Sequence, residues 1–509
     1  MLFCGCTQSQ ETSVAPDAQR VAIAVGADIN EPTTDSRAII DDGYENGHFT
    51  GAWEPTDRIH VLVVRDGMPE YAAMQYDEGS GLFRGEVSGG RRSRTYRAIY
   101  PYSNEWGNVP FGRERLQNGN SFNSSCDAML SAEISATDAE AGMDDSGAPI
   151  VFGMKHLTAI VSAHFSASGD VANEKVRAIT VSSDTTPLSA DMLNIDSASA
   201  TAVLGDAGQS HHIIVFYDDT TAPTAADARA FFNIAAGDCG KLTFSVVTTG
   251  HVSDTTIDRT GKPLVAGRLY YLNRALTEWS ETSAPKAVWR GNADFEPMEI
   301  ADDMTGKCTL EIAVPAGLHK MRVLIDSPFL TKEEMEGIGL STDMDIVDNA
   351  QYAETLAGLG LTTGDALVGS RTVDFNIETL VPLIKLVAGE RAGENKFTIE
   401  VTDIAGNTTN ATMTFFTRGN AEPTIVCNND TDLWANSVSF TVTNAADAVV
   451  EYRMAGTDSW HTATADTTKS GVFRIEPQFE QVAAEGETLA YRKAVEGTGI
   501  WLGHSYEGR

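Results

Sequence analysis

The stretch Thr158-Ala-Ile-Val-Ser-Ala-His-Phe165 decides the fold class, because it is short and rich in β-branched residues, as β-strands are. Stretches of the same kind recur along the chain, and Gly, Asp, Asn or Ser separates them. They lie at 21–25, 59–64, 178–182, 212–217 and 242–248. No helical stretch of about a dozen residues joins them, as a parallel βαβ sheet requires. The sequence therefore predicts an all-β protein made of tandem antiparallel β-sandwiches.

Breaks in composition divide the 509 residues into blocks, and the length alone favours about three domains. Residues 21–281 form the first predicted sandwich domain, whose last strand is expected at 265–273. After the break at 281–285, residues 286–419 are predicted as an Ig-like module, and residues 423–509 as a fibronectin-III-like module. The last strand of the third module is weak, and the sequence leaves open whether this module is complete.

Two short helices are predicted inside the Ig-like module. The first covers Lys332-Glu-Glu-Met-Glu336, where Thr331 is expected as the N-cap and Glu334 as the residue that completes a capping box. The second covers residues 350–359, whose apolar residues recur at helical spacing. Both helices are short insertions in a module whose other elements are strands.

The chain is strongly acidic, with 37 basic residues, 71 acidic residues and a net charge of −34. Nucleic-acid binding needs clustered Lys and Arg side chains that contact phosphate, so this class of function is excluded. The one basic cluster, Arg91-Arg92-Ser93-Arg94, follows Gly89-Gly90 and is predicted as a solvated hairpin turn. No later stretch approaches the ~20 apolar residues that are needed to span a bilayer.

Four cysteines lie far apart in the body of the chain, at Cys126, Cys239, Cys308 and Cys427. They form no C-x-x-C pair and have no histidine at metal-ligand spacing, so a zinc module is excluded. We expect them to be buried as small hydrophobic residues, and long-range disulfide pairing stays open.

The histidines offer no convincing catalytic or metal site. His211 and His212 open an apolar strand, in which adjacent side chains point to opposite faces, so the two cannot bind one metal ion. His156 is predicted as a packed histidine at a strand edge rather than a general base. The common motifs of serine hydrolases, zinc proteases and phosphate-binding loops do not occur. The sequence therefore predicts a non-catalytic protein without metal or cofactor.

The opening hexapeptide, Met1-Leu-Phe-Cys-Gly-Cys6, is typical of the end of a bacterial lipoprotein signal peptide. Gly5 supplies the small residue that precedes the lipid-accepting Cys6, whereas Cys4 follows a large Phe and is a poorer acceptor. The basic region and most of the apolar region are missing, so the true start is expected upstream. Residues 7–20 are polar and predict a flexible tether. The sequence predicts an exported outer-membrane lipoprotein, and a cytosolic chain with an apolar start is the alternative.

A series of short segments in the first block forms an ordered pattern. The most distinctive is Tyr96-Arg-Ala-Ile-Tyr100-Pro-Tyr102-Ser103, and Trp53-Glu-Pro-Thr-Asp57-Arg-Ile-His-Val61 precedes it. Further members of the series lie at 36–38, 82–83, 127–130, 152–158, 240–246 and 264–272. In order and spacing, residues 20–280 resemble the fimbrillin-like proteins of Bacteroidetes, the lipoprotein-processed pilins and pilin relatives of type V pili. Thr56-Asp57 stands where this family usually has Gly-Asp.

The resemblance implies assembly by strand donation between pilin subunits. In the family, proteolysis after an arginine in the first-strand region opens a groove at a sheet edge, and a partner's extended segment fills it. Arg37 is the matching residue and follows a polar stretch suited to cleavage, although a plain surface arginine is an equally good interpretation. Because the chain continues from 282 to 509, a tip subunit, an accessory subunit or a stand-alone lipoprotein fits better than a stalk subunit. The predicted function is therefore pilus assembly or adhesion.

The alternative function is a glycan-binding or glycan-processing surface lipoprotein whose β-modules bind polysaccharide. Trp289, Trp434, Trp460 and Trp501 would line such a binding surface, although a buried core tryptophan is the more common role. An exposed row of aromatic rings would favour glycan binding, and a groove beside the first strand would favour strand exchange. The expected partners are therefore pilin subunits, or a host or bacterial surface glycan or protein.

Overall fold

The computed structural model describes residues 20–29, 53–122, 127–348, 351–389 and 391–418, together with 424–428, 438–443, 451–452, 461–467 and 472–475. The all-β prediction is confirmed, because these residues form strands in several sheets, with few and short helices. None of the helices in these ranges combines the length and the apolar character that crossing a membrane requires.

The first lobe is a closed ring of strands around one apolar core. From the start of β1 to the end of β10, the described chain forms the strands β1 (Arg20–Ile29), β2 (Arg58–Arg65), β3 (Met68–Asp77), β4 (Leu82–Ser88), β5 (Arg92–Tyr100), β6 (Asn108–Pro110), β7 (Glu114–Gln117), β8 (Met129–Ser131), β9 (Ile134–Ala139) and β10 (Val151–His156). The ring order is β2-β3-β4-β1-β10-β8-β5, and β5 pairs again with β2. β9 pairs with the first half of β5, while β6 and β7 join sheets of the second lobe. Val61, Phe83 and Phe152 are fully buried inside the ring.

The second lobe is a sandwich of two sheets. Its strands are β11 (Ala159–Ser166), β12 (Val176–Ser183), β13 (Met192–Asp196), β14 (Thr201–Leu204), β15 (His212–Tyr217), β16 (Ala228–Ile234), β17 (Lys241–Thr248), β18 (His251–Asp258), β19 (Leu269–Ala275) and β20 (Ser280–Glu281). The sheet β16-β11-β19 packs on the sheet β20-β18-β17-β12-β15-β7 through Phe165, Phe232 and Phe244. A small sheet, β14-β13-β6, packs against the first lobe.

The third lobe contains the three α-helices of the described residues. Its elements are β21 (Lys286–Trp289), β22 (Met298–Glu299), β23 (Thr309–Ala313), β24 (Leu318–Asp326), α1 (Lys332–Gly337), β25 (Asp343–Asp345), α2 (Ala353–Gly358), β26 (Thr372–Asn376), α3 (Val381–Ala388), β27 (Gly393–Asp403) and β28 (Thr408–Thr417). Its sheets have the orders β21-β23-β26 and β22-β28-β27-β24-β25. The capping box of α1 is confirmed, since the Thr331 hydroxyl accepts from the Glu334 N–H and the Glu334 carboxylate accepts from the Thr331 N–H.

Among the described residues after the third lobe, six further strands are present. They are β29 (Thr424–Cys427), β30 (Val438–Thr443), β31 (Glu451–Tyr452), β32 (His461–Thr462), β33 (Thr464–Ala465) and β34 (Val472–Ile475). Four of them form a sheet in the order β29-β30-β34-β33, and β31 pairs with β32.

The second and third lobes share an apolar interface. The six-stranded sheet of the second lobe is partly covered on its outer face, because some residues of that face belong to the third lobe's core. These residues are Ala178, Ile214, Val247 and Val252. Ion pairs surround the interface, with Arg113 lying 2.6 Å from Asp348 and Arg371 lying 2.7 Å from Asp254. The two lobes are therefore packed together along a sheet face.

Three local features differ from the sequence predictions. Arg94 is only 3% exposed, because its guanidinium donates to the carbonyls of Ser88, Gly89 and Ala139, so the prediction of a solvated turn is wrong for this residue. β19 begins later than predicted, since Gly267 makes a turn with a φ of 69°. Helix α3 was not predicted from the sequence.

The cysteine prediction holds where the structure describes the side chain. Cys239 and Cys308 are both buried and unpaired with one another, and burial raises the pKa of each thiol to about 11. Cys126 and the side chain of Cys427 lie outside the described residues.

Candidate functional site: the slot of the first strand

β1 fills a slot between two strands that are distant from it in sequence. It pairs antiparallel with β4, from Arg20 opposite Ser88 to Val25 opposite Phe83. It then pairs in parallel with β10, from Gly26 opposite Val151 onward. On this side of the ring β1 lies between β4 and β10, whereas on the other side β3, β2, β5 and β8 connect them. β1 therefore closes this side of the ring.

The side chains of β1 alternate between the core and the surface. Ile23, Val25 and Ala27 are 8%, 0% and 7% exposed, and all three belong to the core of the first lobe. Burial of a Val or Ile side chain contributes roughly 1.5–3 kcal/mol. β1 is therefore held by its apolar face as well as by main-chain hydrogen bonds.

Glycines shape the slot around this strand. Ile23 lies opposite Gly85, and a Cβ placed on Gly142 would come within 2.9 Å of the Ile23 Cβ. On β1 itself, a Cβ at Gly26 would lie 3.0 Å from Val151 Cγ2. The slot thus has room for a large side chain at position 23 and for almost none at position 26.

The two most distinctive segments of the family resemblance meet at one end of the ring, beside β1. The Tyr100 hydroxyl donates to Asp57 Oδ1 at 2.7 Å, and the Trp53 ring packs against Tyr100 and Phe83 at centroid distances of 5.0 Å. The Trp53 indole N–H donates to the Ala27 carbonyl of β1 at 2.5 Å. These residues therefore support the closed ring and contact the strand that closes it.

A buried polar pair lies where the first lobe meets the second. His156 Nδ1 is 2.6 Å from Asp127 Oδ2, and the Asn233 side-chain amide donates to Asp127 Oδ1 at 3.2 Å. Burial raises the pKa of Asp127, and the hydrogen bond from His156 opposes this shift. Both members of the pair are buried, so the prediction of a packed His156 is confirmed, and its carboxylate partner was missed.

The histidine pair at the start of β15 faces the third lobe. His211 Nδ1 lies 3.0 Å from Asp365 Oδ2, and the His211 N–H donates to the same carboxylate at 2.7 Å. Burial lowers the pKa of His212. Within the described parts of the chain, no group of three or more His, Cys, Asp and Glu side chains is arranged to hold a metal ion.

The other predicted site residues divide into two groups. Trp289 is fully buried, and its indole N–H donates to the Lys307 carbonyl at 2.7 Å, so it is a core residue. The remaining residues lie outside the described ranges: Cys6, Arg37, Trp434, Trp460 and Trp501.

An aromatic cluster on the outer face of the first lobe was not singled out from the sequence. His60 is surrounded by Tyr71, Tyr102 and Trp106, with ring centroids 5.1–5.7 Å away. In the sequence, the alternation of side chains along β2 places His60 on the outer face, between the core residues Ile59 and Val61. A histidine at this position could have indicated that other side chains pack around it.

Comparison with known proteins identifies similar solved structures only. No protein-family model matches the chain, and no curated protein matches it. A Bacteroides uniformis protein with a provisional cell-adhesion description is 14% identical, covering 51% of this chain and 97% of its own, with a TM-score of 0.32. A fimbrial assembly protein from Parabacteroides distasonis is 8% identical, covering 52% of this chain and 96% of its own, with a TM-score of 0.26.

A third similar structure comes from Bacteroides ovatus and has a provisional cell-adhesion description. It is 16% identical, covering 52% of this chain and 97% of its own, with a TM-score of 0.34. At these TM-scores the similarities assign neither a family nor a function to the chain.

Proposed function

We propose that this chain is a non-catalytic cell-surface protein of the fimbrillin type, which acts in adhesion or pilus assembly by exchanging its first strand. The observation that carries the proposal is the position of β1, which fills a slot between β4 and β10. Without β1, both neighbours would expose unpaired main-chain groups along an apolar groove. An extended segment of another subunit is the partner that such a groove binds.

The covalent arrangement favours exchange of this particular strand. β1 ends at Ile29, and β2, the next strand of the ring, begins at Arg58. One cut between these residues would separate β1 from every other strand of the ring and leave the rest of the chain continuous. Arg37 lies in this interval, so cleavage after it would open the slot.

The proposal includes a lipid anchor at Cys6 in the outer membrane, which holds the chain until cleavage after Arg37, and a role as a tip or accessory subunit. The shared interface of the second and third lobes supports this role, because it makes the C-terminal part a packed extension of the pilin-like part. No catalytic step is part of the proposal. The buried Asp127–His156 pair would serve to join the lobes, since it is closed to solvent.

The exchange is tested by opening the slot in the full chain. A site for a sequence-specific protease is placed after Arg37, the protein is cut, and β1 is removed in mild urea. We expect a fluorescent peptide of residues 20–29 to bind the opened protein, and neither the uncut protein nor the Ile23→Asp peptide to do so. Equal binding of the peptide to cut and uncut protein, or no binding to the opened one, would contradict strand exchange.

The processing sites are tested on protein recovered from the cell surface by N-terminal sequencing and mass spectrometry. A blocked, lipidated Cys6 identifies an anchored protein, and a start at Ala38 identifies a subunit that was cut after Arg37. An unmodified Met1 at the surface would contradict both processing steps.

A further inference from the structure

A cleft lies on the outer face of the first lobe, far from the interior that β1 completes. Leu62 and Val64 of β2 and Thr95 of β5 form its floor, while Glu133 and the exposed Ala198 lie at its rim. Its volume is about 200 Å³. At about 30 Å³ for each water molecule, this is room for about six waters, which is less than the ~300–1,000 Å³ of pockets for drug-sized ligands. The cleft therefore fits one small ring.

One polar pair crosses the cleft. Arg97 Nε lies 3.4 Å from Glu133 Oε2, and the Arg97 guanidinium also donates to the Ser197 carbonyl on the opposite wall. The side chains of Arg97 and Glu133 are 23% and 48% exposed, so solvent reaches both. The pair offers donors and acceptors side by side, and its charges cancel.

An aromatic surface adjoins the same cleft. Tyr71 lies opposite Leu62, and Leu62 lies opposite Arg97, so the three form one row across neighbouring strands. Tyr71 is 39% exposed, and the ring of Trp106 lies 5.8 Å from it. Tyr and Trp rings supply a large, rigid contact area with few rotatable bonds.

The centre of the aromatic cluster is uncharged at neutral pH. Burial, together with the nearby charge of Arg58, lowers the pKa of His60 to about 4. The row of Tyr71, Leu62 and the Arg97–Glu133 pair thus presents an apolar aromatic surface beside a neutral group of donors and acceptors. A ligand that matches it carries an apolar face and several hydroxyl groups.

We infer that this cleft binds one neutral pyranose residue of a glycan. The C–H face of the sugar packs on Leu62 and Val64, with the Tyr71 ring beside Leu62 at the edge of the cleft, and its hydroxyl groups hydrogen-bond to Arg97 and Glu133. An acidic sugar is disfavoured, because the local charges cancel and the chain carries a net charge of −34. The inference rests on the proposed adhesion function, whose ligand class it names, and it does not depend on exchange of β1.

The full chain is tested on a glycan array that presents neutral and acidic terminal sugars, and the best ligand is titrated as its methyl pyranoside by NMR. We expect binding to neutral terminal pyranoses. The variant Ala198→Trp fills the cleft from an exposed turn, and Tyr71→Ala removes the aromatic surface, so each should weaken binding by about tenfold or more.

The matched control is Glu86→Gln, which removes a carboxylate from an exposed position of β4, whereas Glu133→Gln removes the one in the cleft. We expect only Glu133→Gln to weaken binding. Absence of binding to all neutral sugars, binding to acidic sugars only, or full binding by Ala198→Trp would overturn the inference. Peptide exchange at the β1 slot can succeed or fail in the same samples, so the two proposals are tested separately.

Discussion

The slot of β1 and the outer edge of β16 show two ways of covering the edge of a strand. In the first lobe the edges of β4 and β10 are covered by a strand that one cut would separate from the ring. In the second lobe, β16 pairs with β11 on one side only, and amide side chains cover its other side. The first edge is covered by a strand near the start of the described residues, and the second is covered by side chains of Gln117 and Asn120.

The closure of β16 is detailed. The Gln117 side chain accepts from the Phe231 N–H at 3.0 Å and donates to the Arg229 carbonyl at 2.6 Å, as a paired strand would. The Asn120 side chain accepts from the Arg229 N–H at 2.9 Å. Edge strands that are blocked in this way do not add foreign strands. Of these two edges, only the one in the first lobe is covered by a strand that a single cut would separate, and the proposed strand exchange uses that edge.

The largest effect is expected from a charge on the buried face of β1. Val25→Asp places a carboxylate at a fully buried position of the ring, where it has no partner. We expect the first lobe to lose about 3–5 kcal/mol of unfolding free energy, measured by urea denaturation. Ala24→Asp is the matched control, because position 24 lies opposite Arg84 and outside the core. Equal losses in the two variants would contradict the assignment of the buried face.

The second largest effect is expected at the closed edge. Gln117→Ala removes the hydrogen bond from the Phe231 N–H and one of two donors to the Arg229 carbonyl, which keeps the Tyr217 hydroxyl at 2.9 Å, at a cost of about 1–3 kcal/mol. It also opens an edge for pairing between molecules, so we expect dimers in size-exclusion chromatography with light scattering. The control is Gln209→Ala, which removes one hydrogen bond, to the Gly205 carbonyl, from an exposed side chain. A monomeric Gln117→Ala protein would show that other groups close this edge.

Acid should weaken the first lobe through His60. Its pKa is about 4 in the folded protein and near 6.5 when unfolded, so between these values the unfolded chain binds more protons. Stability is therefore lost as the pH falls from about 6.5 to 4, on the order of 2 kcal/mol by pH 5. We expect His60→Phe to reduce this pH dependence, as measured by thermal unfolding at pH 7 and pH 5. An unchanged pH dependence would assign it to other groups.

The smallest effect is expected at the tight contact of β1 with β10. A peptide of residues 20–29 with Gly26→Ala should bind the opened slot about fivefold more weakly, because its new methyl group lies 3.0 Å from Val151 Cγ2. Val151→Ala in the protein should restore the affinity by making room. If the effects of Gly26→Ala and Val151→Ala on the binding free energy were additive, the contact between positions 26 and 151 would not shape the slot.

Local patterns in the sequence predicted the strands and their class. The predicted strand at 212–217 has the same bounds as β15, and the capping box at Thr331 and Glu334 is present. These predictions succeed because alternation and capping depend on neighbouring residues. The pairing of β1 with β4 and β10 depends on residues far away in the chain, and no local pattern encodes it.

The features that were missed are long-range side-chain contacts. Arg94 is buried by carbonyls at 88, 89 and 139, and Gln117 closes an edge more than a hundred residues further along the chain. In the sequence, the segments around both residues are polar, as is typical of solvated turns or edge strands. The aromatic cluster around His60 belongs to the same class, because its rings come from β2, β3 and the segment after β5.

The most direct test of strand exchange is a reversible lock on β1. Ala24→Cys and Arg84→Cys place two thiols at paired positions of β1 and β4, within the Cα separation that a disulfide spans. After cleavage following Arg37, we expect the oxidised protein to retain β1 and bind no β1 peptide, and the reduced protein to release β1 and bind it. Equal peptide binding by the oxidised and the reduced protein would contradict the account.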